Sequence, residues 1–263
     1  MKDKALSLVR LTIDSHALTV FAARHKLLDD DLGYAMHLAM RRRLGNAGPQ
    51  PFRRMLDTDP VSSKGIETIL AYSSDVDKLK ASFDSYPVAD SEDDRLLLKQ
   101  LFMHEPESRC MPADWSSVAE LDFEVLVRPV RRSGSKVRIA REQKGEVSCA
   151  GERDAFLSAV EASPEGGATI ERNIVYESWL SERLAPAAKL VDGRCHMTQF
   201  RRTRLRRSLH SKGRTRAVEG PEALMKGRLQ ITDCDAFNAV LAKGVGRHSA
   251  FGFGMLLLSP PRD

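Results

Sequence analysis

Four glycines fall within eleven residues near the C-terminus: Gly244, Gly246, Gly252 and Gly254, in the stretch 243–254 (KGVGRHSAFGFG). Neither a helix nor a strand carries glycine at that density, because each one costs backbone entropy and gives up packing surface. The segment must therefore be an irregular connection, and the patterns on either side make it one between a last helix and an apolar closing strand. Two readings follow. The plainer is a tight turn that packs a loop against a sheet. The other is an anion nest of successive N–H groups around Gly244 and Gly246, with Lys243, Arg247, His248 and Ser249 adding charge and donors. It is not a GxGxxG fingerprint, since a helix precedes it and Ser249 follows His248, and no GxxxxGK[ST] phosphate loop occurs in the chain.

The rest of the chain reads as short strands and helices in alternation. Residues 5–13 (ALSLVRLTI) alternate apolar and polar as a strand does. Residues 16–26 read as a loop or short helix. Asp29, Asp30 and Asp31 form an acidic start for a helix over 32–44, with Met36, Met40 and Leu44 at helical spacing. Strands are predicted near 52–56 and 66–72, a helix over 75–83 and a strand over 86–89, giving β-α-β-β-α-β. Residues 90–115 are acidic and irregular, with room for a helix near 95–103. The pattern then recurs: a strand at 121–130, a turn at Ser133 and Gly134, a helix over 171–184, strand regions from 190 and at 227–232, a helix capped by Asp233, and a closing strand over 253–258. The expected fold is α+β, with two tandem ferredoxin-like (RRM-like) domains over 1–112 and 113–263.

Charge is unevenly spread. The chain carries +5 overall, yet residues 194–228 hold eleven Lys or Arg against only Glu219 and Glu222, so the remainder is net acidic. Within 200–216 (FRRTRLRRSLHSKGRTR) stand Arg201, Arg202, Arg204, Arg206, Arg207, Lys212, Arg214 and Arg216 without an acid. Helical spacing would put Arg202 and Arg206 on one face and Arg201 and Arg204 on a neighbouring one. Eight uncompensated cations repel one another when free, which suits a polyanion better than a solvated hairpin beside acidic protein. Cys110, Cys149, Cys195 and Cys234 form no CxxC pair, which argues against a zinc ribbon. Lys2, Asp3 and Lys4 open the chain without a signal-peptide pattern, and no apolar run approaches the roughly 20 residues of a membrane span. A reduced, cytoplasmic protein without membrane contact or cofactor is expected.

The chain end, Gly244-Val245-Gly246 through Phe251-Gly252-Phe253-Gly254-Met255-Leu256 and on to Ser259-Pro260, resembles the glycine-rich signature that closes CRISPR repeat endoribonucleases. Residues 226–233 (KGRLQITD) resemble the strand and helix start leading into it, and 123–130 (FEVLVRPV) the opening strand of the family's second half. The likeness is to the CasE kind of subtype I-E, or to a type IV relative, which the length and basicity of the arm keep in view. It implies a repeat-RNA hairpin as substrate, cleavage of precursor crRNA without a metal, and retention of the product beside other Cas proteins in an effector ribonucleoprotein.

In that family a Tyr-x-x-His on the first long helix is the catalytic pair, which carries the roles to Tyr34 and His37, three residues apart and so on one helix face. RNA brings its own nucleophile, the 2′-OH beside the scissile phosphate. A base must take that proton and an acid must protonate the 5′-oxygen; histidine serves either role, and the products are a 2′,3′-cyclic phosphate and a 5′-OH. Arg41, Arg42 and Arg43 after the pair, or Arg24 and His25 before it, would steady the transition-state charge. A type IV kinship would hand more of the work to arginines, and His25 is the main rival to His37, with His248 behind it. The alternative is a non-catalytic subunit that grips an RNA hairpin, or a scaffold for acidic proteins. If the arm holds RNA, replacing Arg204 and Arg206 together by Ala should weaken binding and flatten its salt dependence; an unchanged slope of log K against log salt would count against the arm.

Overall fold

The computed structural model describes residues 5–27, 32–55, 65–132, 151–163, 170–208 and 215–262, with backbone only for 206–208 and 215–218. The chain opens with β1 (Ser7–Asp14), whose Val9, Leu11 and Ile13 are fully buried on one face, as the alternation requires. Asp14 then caps α1 (Ser15–Arg24), its carboxylate accepting from the Ala17 N–H at 2.9 Å. Next comes α2 (Gly33–Leu44), which starts without a side-chain cap; Asp29–31 lie outside the described residues. β2 (Phe52–Met55), β3 (Ile66–Ser73), α3 (Val76–Asp84), α4 (Glu92–Leu101) and β4 (Glu107–Cys110) follow. Asp75 and Ser91 cap α3 and α4 in the same way.

The first sheet runs β2-β3-β1-β4, with every pair antiparallel, the ferredoxin-like order. The strand expected over 86–89 is absent. Pro87 has no N–H to offer a ladder, Tyr86 and Val88 stand exposed, and the Val88 N–H goes to the Arg42 carbonyl at the end of α2. The fourth strand is β4 instead, an edge strand exposed at all four positions.

The second half contains β5 (Leu121–Val127), β6 (Val130–Arg132), β7 (Glu152–Asp154), α5 (Ala155–Ala162), α6 (Arg172–Leu184), β8 (Ala188–Leu190), β9 (His196–Ser208), β10 (Thr215–Ile231), α7 (Cys234–Lys243) and β11 (Leu256–Ser259). Its sheet runs β11-β5-β10-β8. β8 pairs with residues 229–231 of β10 and β9 with residues 215–226, so the two share one edge and the ferredoxin-like order repeats. The turn expected at Ser133 and Gly134 lies outside the described residues. No helix among the described residues is long and apolar enough to cross a membrane.

Each half has its own apolar core. Phe21, Met36, Phe52 and Leu98 fill the first; Phe123, Tyr176, Trp179 and Phe237 fill the second. Tyr72 of β3 crosses over: it packs in the second core and its hydroxyl donates to the Leu256 carbonyl of β11 at 2.8 Å. Buried Arg43 ties α2 to α3 by donating to the carbonyls of Ser82, Phe83 and Ser85, the negative end of that helix.

The glycine-rich segment is closed by its own backbone. The Val245 N–H donates to the Gly254 carbonyl at 2.8 Å and the Gly254 N–H to Leu126 of β5 at 2.7 Å. Gly254 has a φ of +78°, and a Cβ there would overlap the Val245 carbonyl oxygen. A Cβ on Gly246 would lie 2.8 Å from the Trp179 ring. Gly254→Ala should therefore destabilise the fold by about 1–3 kcal/mol, read as a lower urea midpoint with an unchanged m-value; a midpoint equal to that of the unaltered chain would refute this account of the loop.

Candidate functional site

The first constellation lies where α2 meets the glycine-rich loop. The closed loop carries a short turn over Ser249–Phe251, and the turn sits against α2. Phe251 lies edge-on to His37, with ring centroids 5.3 Å apart, and 5.7 Å from Tyr34; Tyr34 and His37 themselves are 6.3 Å apart. Both rings are half-buried. Burial holds the His37 imidazole below its ordinary pKa, and the nearby Arg41 charge lowers it further. Arg41 is exposed and donates to Asn46 Oδ1 at 2.9 Å. α2 also approaches β9, so the helix meets both the loop and the arginine-bearing strand.

The rival histidines are placed otherwise. His25 belongs to an ion network on the α1–α4 side: its Nε2 lies 3.2 Å from Asp94, which also meets Arg24 at 3.5 Å. Arg42 reaches into the same group, 2.7 Å from Asp90 and 3.4 Å from the His25 ring. His25, Asp90 and Asp94 bring ligand-type atoms within 4.8 Å of one another, but the Arg42 guanidinium already lies against both carboxylates. Arg24, His25, Arg42 and Arg43 are thus absorbed by neighbouring elements of the first half.

His248 occupies the left-handed region, φ +69°, with its side chain 2% exposed and Nε2 3.0 Å from Glu152. Arg247 takes the other oxygen of that buried carboxylate at 2.6 Å while staying 45% exposed itself. The two clamp the loop onto β7. The amides of Gly244, Val245 and Gly254 are spent on internal carbonyls, so around Gly244 the plainer reading of the glycines, tight packing, describes the geometry. Lys243 is exposed at the end of α7, and Ser249 is half-buried in the turn.

The basic arm is a β-hairpin, which corrects the helical spacing. β9 runs antiparallel to β10, with Arg201 opposite Glu222, Arg202 opposite Pro221 and Arg204 opposite Glu219. With a period of two, Arg202 and Arg204 share one face and Arg201 and Thr203 the other. Arg202 donates to Glu219 at 2.8 Å, and Arg204, 70% exposed, lies 3.8 Å from the same carboxylate. Arg206, Arg207 and Arg216 continue the two strands in backbone only; Lys212 and Arg214 lie outside the described residues.

Under the arm is a group that the sequence does not signal. Arg128, which follows β5, is 2% exposed, and its guanidinium donates to the Thr203 hydroxyl at 3.0 Å and lies 5.7 Å from the centre of the Phe253 ring. The Thr203 hydroxyl donates in turn to buried Glu222 at 3.1 Å. Arg53 of β2 reaches Glu124 of β5 at 3.4 Å; burial lowers its pKa, against the charges of Glu124 and Glu222, and Arg201 lowers it further. Only the glycine at position 220, opposite Thr203, hints at the buried guanidinium beside it.

A family model described as CRISPR associated protein matches residues 6–260. No curated protein sequence matches the chain. Among solved structures, the CRISPR endoribonuclease Cse3 bound to a 19-nucleotide RNA superposes with a TM-score of 0.55 at 18% identity, covering 97% of this chain and 100% of that one. A Thermus thermophilus Cse3, bound to an RNA representing a pre-cleavage complex, gives 0.53 at 17% identity with the same coverage. The CRISPR-associated protein Cas6e from Escherichia coli K-12 gives 0.52 at 16% identity, again over 97% and 100%. At these identities the likeness is one of fold, and it agrees with two ferredoxin-like halves.

The surroundings of His37 make a direct expectation. Its imidazole should titrate in NMR with a midpoint below 6.5, and Arg41→Ala should raise that midpoint without restoring it fully, because burial is the larger cause. Since the folded state favours the neutral ring, any stability this group contributes is present above the ordinary pKa and is lost as pH falls from there through the lower folded-state pKa. A midpoint at or above 6.5 in the unaltered chain would show the ring to be solvated rather than buried.

Proposed function

The chain belongs to the CRISPR associated protein family, and from that premise we propose that it binds the stem-loop of CRISPR repeat RNA and cleaves the precursor transcript without a metal. The observation that carries this reading is the position of His37: half-buried beside the glycine-loop turn, on a helix, α2, that also approaches the arginine strand β9. A stem gripped by β9 and β10 would lay its sugar–phosphate backbone along that helix. His37, kept neutral near physiological pH, suits removal of the 2′-OH proton. Its conjugate acid, or a water it polarises, would return a proton to the 5′-oxygen, giving a 2′,3′-cyclic phosphate and a 5′-OH. In this reading Tyr34 would orient the phosphate, and exposed Arg41 would offset its charge.

The solved relatives support the partners as well as the fold. Cse3 is described as an endoribonuclease and has been captured on RNA, so a hairpin substrate fits a chain of the same architecture. Retention of the product beside other Cas proteins is the expected sequel. One observation favours a second reading: the edge-on packing of His37 against Phe251 would serve equally in a subunit that grips the hairpin and cuts nothing.

The two readings part in one experiment. Incubated with its repeat hairpin in EDTA, the unaltered chain should give a single cut, and His37→Ala should slow single-turnover cleavage by about 10²–10⁴-fold while hairpin affinity stays within a few-fold. No cutting by the unaltered chain, with binding intact, would decide for the gripping subunit. Dependence on added metal would overturn the proposed chemistry.

A further inference from the structure

The arm's arginines are not equivalent, and the difference lies in what holds each one. Arg202 and Arg204 share Glu219, an exposed carboxylate on the outer face of the hairpin. Arg201 lies on the opposite face, and its Nε donates at 2.5 Å to Glu222, whose side chain is 4% exposed. The second oxygen of Glu222 accepts from the Thr203 hydroxyl, and Thr203 accepts from buried Arg128 in the connection after β5. The chain of contacts therefore runs from the interior to the surface: Arg128, Thr203, Glu222, Arg201.

Three features make this a built device rather than a chance surface pair. Removing a carboxylate and a guanidinium from water is costly, and a surface arginine needs no such support merely to be present. The residue opposite Thr203 is Gly220, and a Cβ there would overlap the Arg128 guanidinium, so the cross-strand position is kept empty for it. Arg128 also lies against Phe253, and Phe253 and His248 lie against each other in the loop whose Phe251 meets His37. Arg201, 53% exposed at its side chain, thus stands at the outer end of a continuous set of contacts that begins at the candidate catalytic helix.

We infer that Glu222 is a positioning residue, which with Thr203 and Arg128 orients the Arg201 guanidinium to take an RNA phosphate. The inference rests on the RNA-binding reading above and deepens it by singling out one arginine and naming what aims it. With Nε committed to Glu222, the terminal nitrogens keep a fixed direction, and a phosphate meets a preformed fork rather than a mobile chain.

Simple electrostatics and positioning predict opposite signs here. A carboxylate near RNA repels it, so Glu222→Gln, which adds one net positive charge, should tighten binding if charge alone matters. If Glu222 orients Arg201, Glu222→Gln should weaken hairpin binding, by roughly tenfold for a charge-assisted contact. The full-length chain is titrated with its fluorescein-labelled repeat hairpin over a range of salt concentrations, with thermal unfolding of every variant beside it. Arg201→Ala should lose a similar factor and lower the salt slope by about 0.9, and adding it to Glu222→Gln should cost little more, because the two act through one contact.

Arg201→Lys covers the case in which the buried change unfolds the protein. Half-exposed, it should leave the fold intact; it keeps the charge and so the salt slope, yet should lose most of the affinity that Arg201→Ala loses. Tighter or unchanged binding by folded Glu222→Gln, fully multiplicative losses in the double variant, or normal affinity in Arg201→Lys would each overturn the inference while leaving RNA binding itself intact. Failure of the unaltered chain to bind the hairpin would remove both.

Discussion

Two backbone hydrogen bonds hold the architecture of the site: Val245 to Gly254, and Gly254 to Leu126. They close the loop on itself and fasten it to β5, and a side chain on Gly254 would obstruct the first of them. Everything functional in the second half is referred to that closure. Phe251 is carried to α2, Phe253 is set under Arg128, and Arg247 and His248 are brought onto Glu152. The glycines, in other words, act through the side chains that their compact path delivers. This is why a glycine-rich loop can organise rings and charges on a helix, α2, on the connection after β5 and on the strand β7.

The same economy governs charge. A chain with a basic arm must keep its cations from collapsing onto its own acids, and equally from repelling one another when the partner is absent. The hairpin meets both demands by giving the base of β9 two carboxylates, Glu219 outside and Glu222 inside. Neither neutralises the arm, since eight cations stand against two acids across the described and undescribed parts of the segment together. What they do is fix the directions of the arginines nearest the body. Exposed ion pairs contribute little stability, so the value of the pair at Glu219 lies in order rather than in strength. The pair at Glu222 is another matter, because its carboxylate is buried and held by Thr203 as well, although Arg201 itself stays half-exposed.

Much of this was legible in the sequence, and the rest was hidden for physical reasons. β1 alternates cleanly because one of its faces is buried and the other is not, and α2 shows its spacing because Met36 and Met40 face a core. The glycine loop announced itself by density alone. β4 did not, because an edge strand exposed at every position carries no period of two. The arm was open to a helical spacing because arginine is at home in either structure, and only the pairing of 196–208 with 215–226, across a gap that no local pattern spans, makes it a strand. Arg128 could not be found as a buried cation, since its partners lie 75 residues away, beyond the reach of any local rule.

The junction between the halves follows from these separate constraints. β2 of the first half sends Arg53 to Glu124 of the second, and β3 sends the Tyr72 hydroxyl to β11. Among the described residues, Arg53 Nη1 is buried without a hydrogen-bond partner, an expensive condition for a charged group. Its cost is offset by the carboxylates of Glu124 and Glu222 and increased by Arg201. Arg53 and Arg201, from different halves, therefore compete for the field of one buried carboxylate. Moving the halves apart would relieve Arg53 of its repulsion but strip it of both acids, and would carry α2 away from the loop and the strand that it meets. The relation between His37 and the arm thus rests on a few charges at the junction together with apolar packing, in which Leu6, Leu8, Leu70 and Tyr72 lie against the second core and Phe251 lies against α2.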